Sequence, residues 1–165
     1  GEQTSLHAWQ LSDPTSVRVH CPLTIATSAL YDSFHHSGLE YGPAFRMHST
    51  LLAGGAQAMG SLHPRWCWDG TQVHPGDLDA SLQLHYIGRP TTMSSTPLPF
   101  AVQEVQLLPI LARSRWAQVC REGFESADVH LCTSDRSSVV QLMGLKLRVS
   151  QLENAPVLRP QYVTV

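Results

Sequence analysis

Charged side chains are scarce in this 165-residue chain, at 15%, and its basic residues never gather into a run. With a net charge of −2 it carries no electrostatic footprint for nucleic acid or for an anionic membrane surface. No stretch approaches the ~20 consecutive apolar residues of a membrane-spanning helix. The N-terminus lacks the basic, apolar and small-residue regions of a secretion signal, and it starts as though cut from a longer chain. There is no C-x-x-C pair either. Cys21, Cys67, Cys120 and Cys132 lie far apart, which argues against a zinc knuckle and indicates no disulfide framework. These absences point to reduced thiols in a cytoplasmic protein, with neither nucleic acid nor membrane as partner. Internal repeats and low-complexity blocks are also missing.

What is present is a hydrophobic content of 42%, enough for one domain with a sizeable core. Residues 1–28 read as a linker or a first strand, with "SVRVHC" open to both readings. In "SALYDSFHHSG" the residues Leu30, Tyr31 and Phe34 share one helical face, and Gly38 follows as a C-terminal glycine. Phe45 and Met47 begin a strand pattern, Gly54-Gly55 makes a hairpin turn, and 56–62 is the return strand. "RWCWDGTQ" is a loop in which Trp66 and Trp68 are packing residues.

From Pro75 the period becomes helical, with Leu78, Leu82 and Tyr86 four apart and Gly88 ending the run. A proline-punctuated loop then leads to strand-like segments in "FAVQEVQLLPI", "RWAQVCREG" and "ADVHLCTSD", and to a long strand from Val139. The body spans 29–150, and 151–165 is an exit linker. The fold class is α+β, and one long helix wrapped by an antiparallel sheet would be a hot-dog fold.

Four segments occur in order: "YDSFHHSGLEYGPAFR" (31–46), "HPGDLDASLQ" (74–83), "LPFAVQEVQL" (98–107) and "GLKLRV" (144–149). Together, over roughly 31–149, they resemble the C-terminal hot-dog half of a polyketide synthase dehydratase, a family in which two hot-dog folds in one chain make the catalytic unit. The resemblance implies a carbon–oxygen lyase that removes water from a 3-hydroxyacyl thioester on an acyl carrier protein. The family's proton-donating aspartate falls on Asp79, and its partner falls on Gln83. Tyr41, Gly42, Pro43 and Phe45 would shape the pocket wall, with His74 and Pro75 at the turn before the helix and Leu98, Pro99 and Phe100 along the substrate tunnel. No cofactor is implied, since the phosphopantetheine arm belongs to the carrier protein. The implied setting is a dimeric megasynthase.

Local chemistry fits the role. Asp79 and Gln83 stand at i, i+4, so the amide can orient the carboxyl group. A helix N-terminus favours the ionised acid, whereas an apolar pocket favours the protonated one. A general acid requires the pocket to win. Asp77, where the family has an apolar residue, reads as a helix-start acid. His74 reads as a hydrogen-bonded turn residue, and His35 and His36 as solvated helix residues without metal-ligand spacing.

The family's base comes from an H-x-x-x-G-x-x-x-x-P motif, and none of the nine histidines here has glycine four residues on. The expected partner is therefore an N-terminal half carrying the catalytic histidine. Three alternatives keep the fold: a non-catalytic pseudo-dehydratase scaffold, a stand-alone hot-dog thioesterase, and an isomerase or cyclase using the same site.

Overall fold

The computed structural model describes residues 19–65, 70–87, 97–108, 114–123, 125–134 and 137–149. Strands β1 (Leu23–Ile25), β2 (His48–Gly54), β3 (Gln57–Leu62), β4 (Pro97–Ala101), β5 (Glu104–Leu107), β6 (Trp116–Glu122), β7 (Ser126–Cys132) and β8 (Ser138–Val149) form one antiparallel sheet. Its order is β1-β2-β3-β6-β7-β8-β4, with β5 following β4 along the same edge of β8. Two helices pack with the sheet: α1 (Thr27–His36) and α2 (Pro75–Gln83), the latter extended by a 3-10 turn over Leu84–Tyr86. The expected hot-dog half, an antiparallel sheet around a central helix, is the architecture observed.

Alternation on the inner strands explains which face meets α2. Across β2, β6, β7 and β8, Leu51, Ala117, Val119, Val129, Leu131 and Val140 are almost wholly buried and belong to the same core as Ala80 and Leu84 of the helix. Burying a side chain such as Leu51 or Leu131 is worth roughly 1.5–3 kcal/mol, so this face dominates the hold on α2.

Several sequence expectations need adjusting. The first strand lies at Leu23–Ile25, while Val19 and His20, the described part of "SVRVHC" before Cys21, are helical. Strand β2 begins at His48 because Pro43–Phe45 forms a 3-10 turn, which suits the fixed φ of Pro43. The segment "FAVQEVQLLPI" is two strands, interrupted at Val102 and Gln103. Opposite that break Gly144 adopts φ 61°, and its N–H donates to Asp128 Oδ1 at 2.8 Å.

Helix α1 matches its pattern: Leu30, Tyr31 and Phe34 are buried, and Gly38 follows with φ 81°. Helix α2 does not. Leu78, Leu82 and Tyr86 are only half-buried, while Asp77, Ser81, Gln83 and His85 are buried. Cys21, Cys120 and Cys132 are free thiols. Cys67, Trp66, Trp68, Gly88 and the segments 1–18 and 150–165 lie outside the described residues. Among the described residues, no helix is long and apolar enough to cross a membrane.

Candidate active site

Helix α2 starts where the sequence demands it. His74 is the N-cap, its Nδ1 accepting the Gly76 N–H at 3.0 Å, and Pro75 supplies a first helical residue that needs no donor. This turn role for His74 is the one its sequence context suggested. One turn further, Asp79 is half-buried, and Gln83 is 1% exposed.

The Gln83 amide joins two elements. Its Nε2 donates to Asp79 Oδ2 at 2.7 Å and to the Phe45 carbonyl at 3.1 Å. Both amide protons are thus used on oxygens. Turning the amide over would set Oε1 against the Phe45 carbonyl, so its orientation is fixed by that neighbour. Asp79 is thereby aimed relative to the 43–45 turn.

Aromatic residues stand beside it. Phe34 packs against Tyr41 at 4.9 Å between ring centroids and against Tyr86 at 5.1 Å, and Tyr31 meets Tyr41 edge-on at 6.3 Å. Tyr31 and Tyr41 have phenol groups pushed up chiefly by burial, with the Asp79 charge adding to the effect. Arg46 covers the outer side, 5.3 Å above the Tyr31 ring and bonded through Nε to the Tyr41 carbonyl at 2.8 Å. Tyr86 donates its hydroxyl to the Pro97 carbonyl, tying the end of α2 to β4.

This setting resolves the competition at Asp79. Burial pushes its carboxyl up, and the hydrogen bond from Gln83 pulls the other way without cancelling it. Burial is thus the larger of the two influences, and the carboxyl lies above its ordinary value. Beneath the helix, His48 on β2 meets the Ala80 carbonyl through Nε2 at 3.0 Å and is pushed down to about 4 by burial, so it is a neutral structural imidazole.

The other candidates divide. Tyr41 lies in the aromatic wall, and Phe45 contributes its carbonyl; Gly42 and Pro43 form the exposed turn that presents it. Leu98, Pro99 and Phe100 are exposed on edge strand β4, with Arg148 stacked 5.4 Å over Phe100, and only their neighbour Pro97 links back through Tyr86. Asp77 stands in the first turn of α2, as a helix-start acid would, and it is buried and bonded to Arg65, Nε to Oδ1 at 2.6 Å. Sequence reasoning missed Arg65, and it assigned Tyr31, Phe34 and Tyr86 to faces without seeing that three separate segments converge on Asp79. His35 and His36 are exposed, as expected. Among the described residues, no cluster of three His, Cys, Asp or Glu residues could hold a metal ion.

With this geometry in place, comparisons with known proteins become informative. A family model described as the polyketide synthase dehydratase N-terminal domain matches residues 10–156. Polyketide synthase PksN of Bacillus subtilis (strain 168) is 25% identical over 151 residues, which cover 84% of this chain and 3% of that protein. PksL of the same organism is 24% identical over 146 residues, 79% of this chain and 3% of that one.

Among solved structures, the dehydratase domain from the CurF module of the curacin polyketide synthase superposes with a TM-score of 0.76 at 24% identity, covering 87% of this chain and 54% of that one. A trans-AT polyketide synthase dehydratase from Brevibacillus brevis gives 0.72 at 26% identity, covering 84% and 53%. The CurK dehydratase is also solved as an aspartate-to-asparagine and as a histidine-to-phenylalanine variant, each inactive. The chain thus spans about half the length of these solved domains.

The matching model overturns one expectation. It is the N-terminal domain, so the assignment to the C-terminal half is corrected, and the complementary half is C-terminal rather than an N-terminal one carrying the histidine. Four short segments implied a hot-dog half, but two adjacent hot dogs share sheet and helix, and such segments do not by themselves order the halves along a chain.

Proposed function

Because the chain belongs to the polyketide synthase dehydratase family, we propose that it forms one half of a site that eliminates water from a 3-hydroxyacyl thioester carried on an acyl carrier protein, with Asp79 as proton donor. In this carbon–oxygen lyase reaction a base of the complementary half takes the α-proton. The freed electron pair forms the double bond between the α- and β-carbons as the carbon–oxygen bond breaks. Asp79 protonates the departing hydroxyl, which leaves as water, and the product is the enoyl thioester. The phosphopantetheine arm presents the substrate, and no further cofactor enters.

The observation that carries this reading is the Asp79 carboxyl itself, half-buried beside an aromatic wall, raised by burial and aimed by the Gln83 amide. A general acid is most effective when its proton is retained near working pH and directed at the leaving group. The inactive CurK variants, one lacking an aspartate and one a histidine, agree with a division of labour between an acid and a base. Tyr41, the 42–45 turn and His74–Pro75 would line the entrance to Asp79. Leu98, Pro99 and Phe100 would extend the acyl channel only if the substrate ran along β4.

The test is mass-spectrometric detection of water loss from a 3-hydroxyacyl carrier-protein thioester, with the two halves together and with Asp79→Asn. The substitution should lower the rate by about 10²–10⁴-fold, the usual worth of a positioned general acid. Undiminished water loss would remove Asp79 from the mechanism.

A further inference from the structure

Asp77 and Gly76 stand where they make room for, and bind, an arginine from outside the helix. Arg65 follows β3 and reaches the start of α2. Its Nε donates to Asp77 Oδ1 at 2.6 Å, its Nη2 donates to the Ala44 carbonyl at 2.8 Å, and its Nη1 lies 3.5 Å from His74 Nε2. The Arg65 and Asp77 side chains are 16% and 8% exposed. A Cβ at residue 76 would stand 2.1 Å from Arg65 Nη2 and 2.8 Å from the Ala44 oxygen, so only glycine admits the guanidinium in this position.

The two ends of one arrangement then become visible. Arg65 fastens α2 to the carbonyl of Ala44, and Gln83 fastens α2 to the carbonyl of the next residue, Phe45. Asp79 lies on the helix between these two attachments. A planar fork that serves a carboxylate and a carbonyl together is a task for arginine and not for lysine.

We propose that Arg65 and Asp77 are a positioning pair, which sets the gap between the 43–45 turn and α2 and so holds Asp79 at its working position. The proposal rests on the reading of Asp79 as proton donor. Neither residue touches the reacting atoms. As an ion pair they also add no net charge beside Asp79. Among the described residues, the other titratable or charged groups on this side are Tyr31 and Tyr41, which feel the Asp79 charge, Arg46 over the Tyr31 ring, His48 bonded to the Ala80 carbonyl, Tyr86 in the aromatic wall and the N-cap His74.

The pair separates from a merely structural role through pH. In the dehydratase with both halves present, acting on a 3-hydroxybutyryl carrier-protein thioester, Asp77→Asn leaves the guanidinium uncompensated and moves the alkaline limb of kcat/KM to lower pH. Arg65→Gln leaves the carboxylate uncompensated and moves that limb to higher pH. Each shift is on the order of half a pH unit for a unit charge at this range. The double variant returns the limb to its original place with kcat still reduced about 10-fold.

Arg65→Lys keeps the limb in place but lowers kcat, because the fork is lost. Gly76→Ala lowers kcat in the same way by displacing the guanidinium. Folded single variants with unchanged kcat and an unmoved limb would overturn the positioning role while Asp79→Asn remained inactive. An active Asp79→Asn would instead overturn the reading on which the role rests.

Discussion

The two helices of this hot-dog half share one apolar core, but α2 buries polar residues as well. Helix α1 turns Leu30, Tyr31 and Phe34 inward and leaves Asp32, Ser33, His35 and His36 in solvent. Helix α2 buries Asp77, Ser81 and Gln83 and leaves Leu78 and Leu82 half-covered. Apolar burial places α1 without directional demands. The same apolar core holds α2 through Ala80, and hydrogen bonds to other segments add a directional constraint: Asp77 to Arg65, and Gln83 to the Phe45 carbonyl. A buried polar group is costly unless paired, so such a helix has few alternative settings. The carboxyl proposed as proton donor sits on the helix that carries these buried polar bonds.

Breaking the apolar side of this comparison should have the largest effect on stability. Phe34→Ala removes a 2%-exposed ring that touches Tyr31, Tyr41 and Tyr86. A loss of roughly 3–5 kcal/mol is expected in urea unfolding, the range for a buried phenylalanine. A loss under 1 kcal/mol would mean that α1 contributes little to the core.

The next effect concerns the support beneath α2. His48 has an ordinary value of 6.5 and is pushed down to about 4 by burial. The unfolded chain therefore takes up a proton below pH 6.5 that the folded chain refuses until about pH 4. Stability falls as pH drops through that window, by up to roughly 3 kcal/mol from this group. His48→Gln should flatten the slope of stability between pH 6.5 and 4. An unchanged slope would assign the acid sensitivity to other groups.

Gln83→Leu tests the polar side directly. It keeps much of the buried volume but frees Asp79 Oδ2 and the Phe45 carbonyl of their shared donor. About 1–3 kcal/mol of stability should be lost through the orphaned acceptor, together with a fall in kcat larger than any change in KM. A variant equal to wild type in kcat would show that Asp79 needs no amide to aim it.

The same contrast explains what could be read from the sequence. Periodicity reports apolar burial, so α1, the hairpin of β2 and β3, and the long β8 were legible in Leu30–Phe34, Gly54–Gly55 and the alternation after Val139. On α2 the spacing of Leu78, Leu82 and Tyr86 located the helix, and these three pack half-buried against the core; the burial of Asp77, Ser81 and Gln83 beside Ala80 carried no signal of its own. Asp79 and Gln83 could be found from i, i+4 spacing within a family motif. Arg65 could not: it is 12 residues from Asp77 and 21 from Ala44, and nothing local marks it. Which half of the catalytic unit this chain represents was likewise not contained in four short segments, and the match over residues 10–156 corrected it.

The smallest expected effect opposes the trend. Asp79 is raised by burial, so its ionised form is less favourable folded than unfolded. The folded state then holds the proton more tightly, and stability is greatest below the ordinary value of 3.8 and declines as pH rises through the folded value. Asp79→Asn removes that titration, and an asparagine carbonyl can still accept from Gln83. At pH 7 the variant should melt slightly above wild type while the proposed water elimination is lost, and the gap should close as the pH is lowered toward 3.8. Half-exposure keeps the difference small, because water screens the carboxylate. An Asp79→Asn protein less stable than wild type at neutral pH would mean that the carboxylate serves the fold. A more stable one would mean that α2 carries an acid which the fold tolerates, as the proposed proton-donor role requires.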